Sequence, residues 1–183
     1  IYGFTNMLID LISTEKPMYL GVVFDTPKKT HRHIEYAEYK ANRDAMPEGI
    51  SAAIPYIKQI LKAFNIPALS IEGFEADDVI GTLAKQAENQ GFQTYMMTPD
   101  KDFAQLVTEQ TFMYKPGVRG NPTEVWDTSK VCEKFNINDV GQVIDFLGMV
   151  GDAVDNIPGI AGVGPKTSSK LLKQYNSIEK LYE

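Results

Sequence analysis

The sequence predicts an α/β domain on a mainly parallel sheet flanked by helices, followed by a helical C-terminal region. Three observations predict it. Short apolar runs of strand character alternate with stretches of helical periodicity between Met18 and Met97. Strand–helix–strand order implies parallel neighbours, because a tight turn can join only antiparallel strands. From about residue 128 the strand-like runs cease, and short helical patterns punctuated by Gly and Pro replace them.

Taken in order, Phe4, Leu8, Leu11 and Ile12 recur at helical spacing and predict an opening helix. Met18 to Phe24 is a nearly continuous apolar run ending at Asp25, which predicts a buried strand. Residues 26–49 carry almost no core pattern but hold Lys28, Lys29, Arg32, Lys40 and Arg43, with His31 and His33 among them. So long a basic insertion between a strand and a helix suggests a functional segment. A helix over Ile50–Phe64 follows, with Pro47 near its start, then a strand over Ala68–Ile71 and a helix over Ala76–Gln90 stopped by Gly91. Phe92 to Met97 predicts a third strand, and Thr111 to Tyr114 a shorter edge strand. The expected division is a core over 1–127, with the insertion at about 26–49, and a helical region over 128–183.

Composition narrows the class. With 43% apolar residues, nine Phe and nine Tyr, the chain can build an ordinary core. The lone Cys132 cannot form an internal disulfide, which suits a reducing cytoplasm. No apolar run reaches the roughly 18 residues of a bilayer span, and no basic-then-apolar start reads as a signal peptide, so a soluble protein without a membrane partner is expected. The chain begins at Ile1, inside a helical pattern, which reads as a piece of something longer. A net charge of −6, from 24 acidic and 18 basic residues, taken alone argues against a nucleic-acid binder.

The acids are not scattered. Asp25 ends the first predicted strand, Glu75, Asp77 and Asp78 follow the second, and Asp100 and Asp102 follow the third. In a parallel sheet those ends share one edge, where open α/β folds place their sites. Carboxylates crowded together raise one another's pKa unless cations neutralise them, so the pattern implies bound metal. All-oxygen ligands with no neighbouring Cys or His favour Mg²⁺ or Mn²⁺ over zinc. Asp152 and Asp155, three apart in GMVGDAVDNIPG, fit one side of a helical turn and could close the site. Each acid also has a plainer reading, as a helix cap or a turn residue.

Residues 156–172 read NIPGIAGVGPKTSSKLL. Gly159, Gly162 and Gly164 allow a tight turn, Pro165 suits the first helical position, and Lys166 and Lys170 lie on the helix that follows. Such a turn presents free backbone amides to phosphate oxygens, positioning a nucleic-acid backbone without reading its sequence. The alternative is a plain helical hairpin. It is not a Walker loop, because GxxxxGK[ST] is absent. In the insertion, Tyr36, Tyr39, Lys40 and Arg43 set aromatics beside cations, as stacking and phosphate contact with a single strand require, although Glu35, Glu38, Asp44 and Glu48 dilute the charge and a solvated face is the plainer reading.

The stretches VVFD (22–25), EYKANR (38–43) with MPE (46–48), EADD (75–78), TPDKDF (98–103) and GDAVDNIPGIAGVGPKTSSKLL (151–172) together resemble the 5′ nuclease domain of bacterial DNA polymerase I, in the flap endonuclease family. The resemblance implies a PIN-like nuclease core with a C-terminal helix-hairpin-helix subdomain. It implies a nuclease using two or more divalent metals to cut 5′ flaps and 5′ ends of DNA in primer removal and repair. By the same resemblance, Asp25, Glu75, Asp77 and Asp100 ligate one metal and Asp102, Asp152 and Asp155 surround another, with Asp78 as an accompanying acid. Lys40 and Arg43 face the scissile phosphate, and Arg32 and Tyr39 belong to the arch that a single-stranded 5′ end threads. Gly162, Gly164, Lys166 and Lys170 belong to the hairpin that holds the duplex, with K⁺ as a further ion there. The implied partners are DNA with a 5′ flap or nick and a downstream polymerase region, in a monomeric protein of the bacterial nucleoid.

The family's first strand, ending in a metal-binding Asp, does not precede Ile1, so a non-catalytic structure-specific DNA-binding module is the alternative reading. A carboxylate-based phosphatase is a second rival, but Asp25 is followed by Thr26-Pro27 rather than the xD of a DxDx[TV] nucleophile.

Overall fold

The computed structural model describes residues 1–117 and 122–183. It divides into two units, one of Ile1–Glu35 with Arg43–Val79 and one of Tyr36–Asn42 with Ile80–Glu183.

The first unit holds helices α1 (Tyr2–Glu15), α2 (His31–Glu35) and α3 (Glu48–Ala63), strands β1 (Val22–Val23) and β2 (Ala68–Leu69), and the start of α4 (Ala76–Asn89). Leu8, Leu61 and Ile66 form its buried centre, with Phe4, Ile12, Ile57 and Ile60 packed against them. The helical spacing of Phe4, Leu8 and Ile12 puts one face of α1 on that core, and α3 begins directly after Pro47 as expected. β1 runs parallel to β2, Val22 opposite Ala68 and Val23 opposite Leu69.

Two departures appear here. The strand expected over Met18–Phe24 is reduced to Val22–Val23, and Met18 and Tyr19 are exposed. The ladder is short: Val22 N–H donates to Pro67 O at 2.9 Å and Phe24 N–H to Leu69 O at 2.8 Å. Likewise Ile71 lies outside β2 and is exposed.

In the second unit, β3 (Thr94–Met97), β4 (Thr111–Lys115) and β5 (Glu124–Trp126) form one sheet in the order β3-β4-β5. β3 and β4 are parallel, Thr94 to Met97 opposite Thr111 to Tyr114, and β5 is antiparallel to β4. Thr111–Tyr114 is therefore the middle strand rather than an edge. β5 is only three residues long, too short for a period-2 signal to show in sequence.

A 3-10 helix (Lys101–Leu106) follows β3, and α5 (Thr128–Phe135), α6 (Gln142–Val150), α7 (Pro165–Tyr175) and α8 (Ile178–Tyr182) complete the unit. Strands do not cease at residue 128: β6 (Gly151–Asp152) and β7 (Ile157–Pro158) pair antiparallel between α6 and α7. The sheet expected from the first three apolar runs is divided, β1 pairing with β2 and β3 with β4 in separate ladders among the described residues.

Met96, Phe103, Met113, Trp126, Val131, Phe146 and Leu172 belong to one core, and the rings of Phe135 and Phe146 meet edge to face at 5.1 Å. Gln142 ties α6 to the end of α7, its side-chain amide donating to Leu172 O at 3.0 Å and Asn176 O at 2.9 Å. No described helix is long and apolar enough to cross a membrane.

Candidate active site

Four of the expected acids meet in the second unit. Asp100, just past β3, caps the 3-10 helix: its Oδ1 accepts the Asp102 N–H at 3.0 Å, and its own N–H donates to Thr98 Oγ1 at 3.1 Å. Asp102 lies in the first turn of that helix with Oδ1 buried and no hydrogen-bond partner. Burial chiefly, and then the charges of Asp100, Asp152 and Asp155, push its pKa above the ordinary carboxylate value against the opposing charge of Lys101. Asp152 makes a turn in which Oδ1 accepts the N–H groups of Val154 (2.8 Å) and Asp155 (3.3 Å), while Oδ2 lies 3.7 Å from Lys101 Nζ.

Asp155 is fastened to residues of the basic insertion. The Tyr39 hydroxyl donates to its Oδ2 at 3.4 Å, the Lys40 N–H donates to its backbone carbonyl at 2.9 Å, and Lys40 Nζ stands 3.9 Å from Oδ2. Two amide side chains clamp the same segments: Asn42 Nδ2 donates to Ala153 O at 2.9 Å, and Asn156 Nδ2 donates to Glu38 O at 2.8 Å. Lys40 takes a left-handed backbone, φ 56°, to make this turn. Sequence reasoning reached Lys40 and Asp155 but missed the two Asn clamps, which lie more than 100 residues from their acceptors and carry no local signal. Tyr39, expected to offer its ring for stacking, is 6% exposed, so in this arrangement it is an internal strut. Arg43 is exposed.

In the first unit, Asp25 and Asp78 satisfy the orphan amides at the start of α4. Asp25 Oδ1 accepts the Ala76 N–H at 2.7 Å, and Asp78 Oδ2 accepts the Glu75 N–H at 3.0 Å. Arg32 grips Asp78 through both ends of its guanidinium, at 2.8 and 2.7 Å, with Glu75 Oε2 at 3.9 Å. That hydrogen bonding holds the Asp78 carboxyl below its ordinary pKa. Glu75 is buried and Asp77 exposed in the first turn of α4. The capping role weighed for EADD is therefore real. His31 is exposed, its ring 6.2 Å from that of Phe74, and His33 Nδ1 lies 3.0 Å from Thr30 Oγ1.

Among the described residues no three His, Cys, Asp or Glu side chains already form a coordination shell. The donor chemistry nevertheless fits a hard divalent cation: a buried carboxylate oxygen of Asp102 lacks any donor, and three further carboxylates raise the cost of its charge.

The glycine-rich turn is built on close approach. A Cβ on Gly151 would lie 2.3 Å from Gly159 N, and one on Gly159 2.3 Å from Val150 O, so the residue that opens β6 and the one that follows β7 approach this closely because both are glycine. Gly162 takes φ +78°, Gly164 precedes Pro165 at the first turn of α7, and Lys166 and Lys170 are exposed on that helix.

Residues 1–136 match the family described as "5'-3' exonuclease, N-terminal resolvase-like domain", and residues 139–183 match "5'-3' exonuclease, C-terminal SAM fold". The chain belongs to the 5′–3′ exonuclease family. A 5′–3′ exonuclease of Aquifex aeolicus is 46% identical over 181 residues, covering 99% of this chain and 61% of the relative. DNA polymerase I of Bacillus subtilis is 42% identical over 183 residues, 100% of this chain but 21% of that protein. The chain thus spans about three fifths of the length of the first relative and about a fifth of the second.

Of solved structures, T5 5′-exonuclease with bound divalent metal ions (zinc) matches 98% of this chain and 69% of its own, with a TM-score of 0.81 at 23% identity. The catalytic core of Rad2 in complex with DNA substrate matches 99% and 55%, with a TM-score of 0.65 at 16% identity. Both share this fold. The α/β class and the family resemblance read from the sequence are thereby borne out, with a resolvase-like domain followed by a SAM fold.

Proposed function

We propose that the protein is a divalent-metal-dependent, structure-specific 5′ nuclease that hydrolyses phosphodiesters at 5′ flaps and 5′ ends of DNA, in primer removal and repair. The observation carrying this reading is the buried, unpartnered Asp102 carboxylate oxygen among Asp100, Asp152 and Asp155, with Lys40 beside Asp155. The relatives are exonucleases and DNA polymerases, and one structural neighbour holds divalent metal.

Asp100, Asp102, Asp152 and Asp155 would hold Mg²⁺ or Mn²⁺, and the family resemblance adds Asp25, Glu75, Asp77 and Asp78. When bound, the metal supplies positive charge that acidifies a water and offsets charge on the leaving oxygen. Lys40 and Arg43 offset charge on the scissile phosphate; Lys40 Nζ, at 3.9 Å from Asp155 Oδ2, exchanges that loose contact for a phosphate oxygen. Arg32 contacts the DNA backbone by leaving Asp78, and Tyr39 serves DNA by holding the turn that carries Lys40. Gly162, Gly164, Lys166 and Lys170 grip duplex phosphates as a helix-hairpin-helix, with K⁺ at the turn. The core over 1–127, together with Asp152 and Asp155, would then carry the chemistry, and the hairpin within 128–183 the duplex grip. A polymerase region, as in the DNA polymerase I relatives, is the natural downstream partner in a bacterial nucleoid protein.

A second reading, a non-catalytic structure-specific DNA-binding module, is favoured by the commitment of Asp25 and Asp78 to backbone amides at the start of α4. A labelled 5′-flap duplex decides between them. The wild-type protein is expected to cleave it with Mg²⁺, and Asp100→Asn to abolish cleavage while flap binding in Ca²⁺ persists. Flap binding without Mg²⁺- or Mn²⁺-dependent cleavage by the wild type supports the binding module. Wild-type turnover by Asp100→Asn removes the acid assignment.

A further inference from the structure

Lys115 lies outside every motif discussed above, yet it reaches the acidic turn. It is the last residue of β4, and the β3–β4 register ends at Met97 opposite Tyr114, so Lys115 stands where the neighbouring chain leaves the sheet as Thr98-Pro99. Pro99 has no N–H, and the turn cannot be fixed by lengthening the ladder through it. An ammonium supplies the missing link: Lys115 Nζ donates to the Pro99 carbonyl at 3.2 Å.

The ammonium is itself held in place. It lies 3.7 Å from the centroid of the Trp126 ring, a ring that is 7% exposed and whose indole N–H donates to Glu124 at 2.9 Å. Lys134 approaches the same ring at 5.3 Å and Glu124 at 3.6 Å. A lysine packed on a fixed indole gives up much of its usual freedom, so its contact with Pro99 is a brace rather than a passing surface encounter. Asp100 follows Pro99 directly and caps the helix that carries Asp102.

We infer that Lys115 is a positioning residue that braces the Pro99–Asp102 turn and thereby raises the affinity of its carboxylates for a divalent cation. This rests on the metal-dependent reading above. Two effects of the ammonium oppose each other. As a cation near Asp100 it repels a metal ion, so electrostatics alone predicts that removing it tightens binding. As a brace it keeps the acids where a metal needs them, so positioning predicts that removal weakens binding. Groups supporting metal ligands typically contribute about 10–100-fold to affinity, which lets positioning win over a partly screened charge.

The measurement is Mn²⁺ binding to the protein without DNA, by titration calorimetry, for wild type, Lys115→Met and Lys115→Arg. Lys115→Met keeps the stem over Trp126 and removes the donor; about tenfold weaker Mn²⁺ binding is expected. Lys115→Arg retains a donor and is expected to restore most of the affinity. Fluorescence of Trp126, the single tryptophan, and thermal unfolding in EDTA report whether each variant is folded. Should Lys115→Met not fold, Lys115→Gln carries the same expectation. Unchanged or tighter binding by the methionine or glutamine variant overturns the inference alone. Wild-type protein that binds no Mn²⁺ overturns the metal-dependent reading and this inference with it.

Discussion

Arg32 and Asp78 make two parallel hydrogen bonds whose worth depends on pH in a definite direction. The guanidinium first, and then the Glu75 N–H, hold the Asp78 carboxyl below its ordinary 3.8 in the folded chain, against the cost of its burial. The folded state therefore binds that proton less readily than the unfolded one. The stabilisation is present above about pH 3.8 and is lost as pH falls through the depressed folded value. The Arg32 side chain is 36% exposed, so solvent screening limits the pair to about 1 kcal/mol despite its bidentate geometry. Arg32→Met is expected to lower unfolding free energy by that amount at pH 7 and by progressively less as pH falls through the depressed folded value of Asp78. Urea unfolding of both proteins across that pH range checks this; an equal loss throughout would assign the effect to packing of the arginine stem.

At the level of elements, legibility follows the range of the cause. α1, α3 and α4 were readable because apolar spacing and helix-stopping residues are local properties of sequence, and their observed limits lie close to those expected. β1 was overextended because an apolar run records burial tendency, whereas a strand requires a partner of matching length, and β2 offers only two residues. The clamp of residues 36–42 onto the Asp152–Asn156 turn was unreadable, since its donors and acceptors are joined only by the fold. Asp100 and Asp102 follow β3 as the strand-end pattern expects, whereas Asp152 and Asp155 enter by their spacing of three rather than from a strand end. Capping is the plainer reading of EADD and Asp78 follows it, but the reach of Asp25 to the Ala76 N–H spans 51 residues and has no local signal.

The β6–β7 pair gives this level its own test. Gly159→Ala drives a methyl to 2.3 Å from Val150 O, a contact that backbone must relieve. A cost of about 1–3 kcal/mol is expected, typical of overpacking. Amide exchange at Ile160, whose N–H donates to Met149 O at 2.8 Å, should quicken. Gly162→Ala, with open space but φ +78°, should cost less and leave that amide protected. Equal exchange in the two variants would show that close approach at Gly159 is unimportant.

For the whole molecule the net charge of −6 changes meaning once the acids are placed. Eight of the 24 acidic residues belong to the candidate metal-binding set, leaving 16 acidic against 18 basic residues elsewhere, a net charge of +2. Acidity that argued against DNA binding is concentrated in the residues proposed to cut it. Concentrated like charge destabilises the folded state, and burial raises the cost of charging Asp102. A divalent cation that binds the folded chain but not the unfolded one must then raise stability by mass action, by about 2.7 kcal/mol at a hundredfold excess over its Kd. In a chain of this length that corresponds to a Tm increase of about 5–10 °C. Mg²⁺ and Ca²⁺ are both expected to produce it, because the gain requires binding and no chemistry, and EDTA should reverse it. NaCl at matched ionic strength is the decisive control, since general screening would relieve repulsion without any site. A rise with NaCl equal to that with Mg²⁺ would reduce the acids to a diffuse negative field. A rise specific to divalent cations, and lost in Asp102→Asn, would localise the effect to the buried carboxylate.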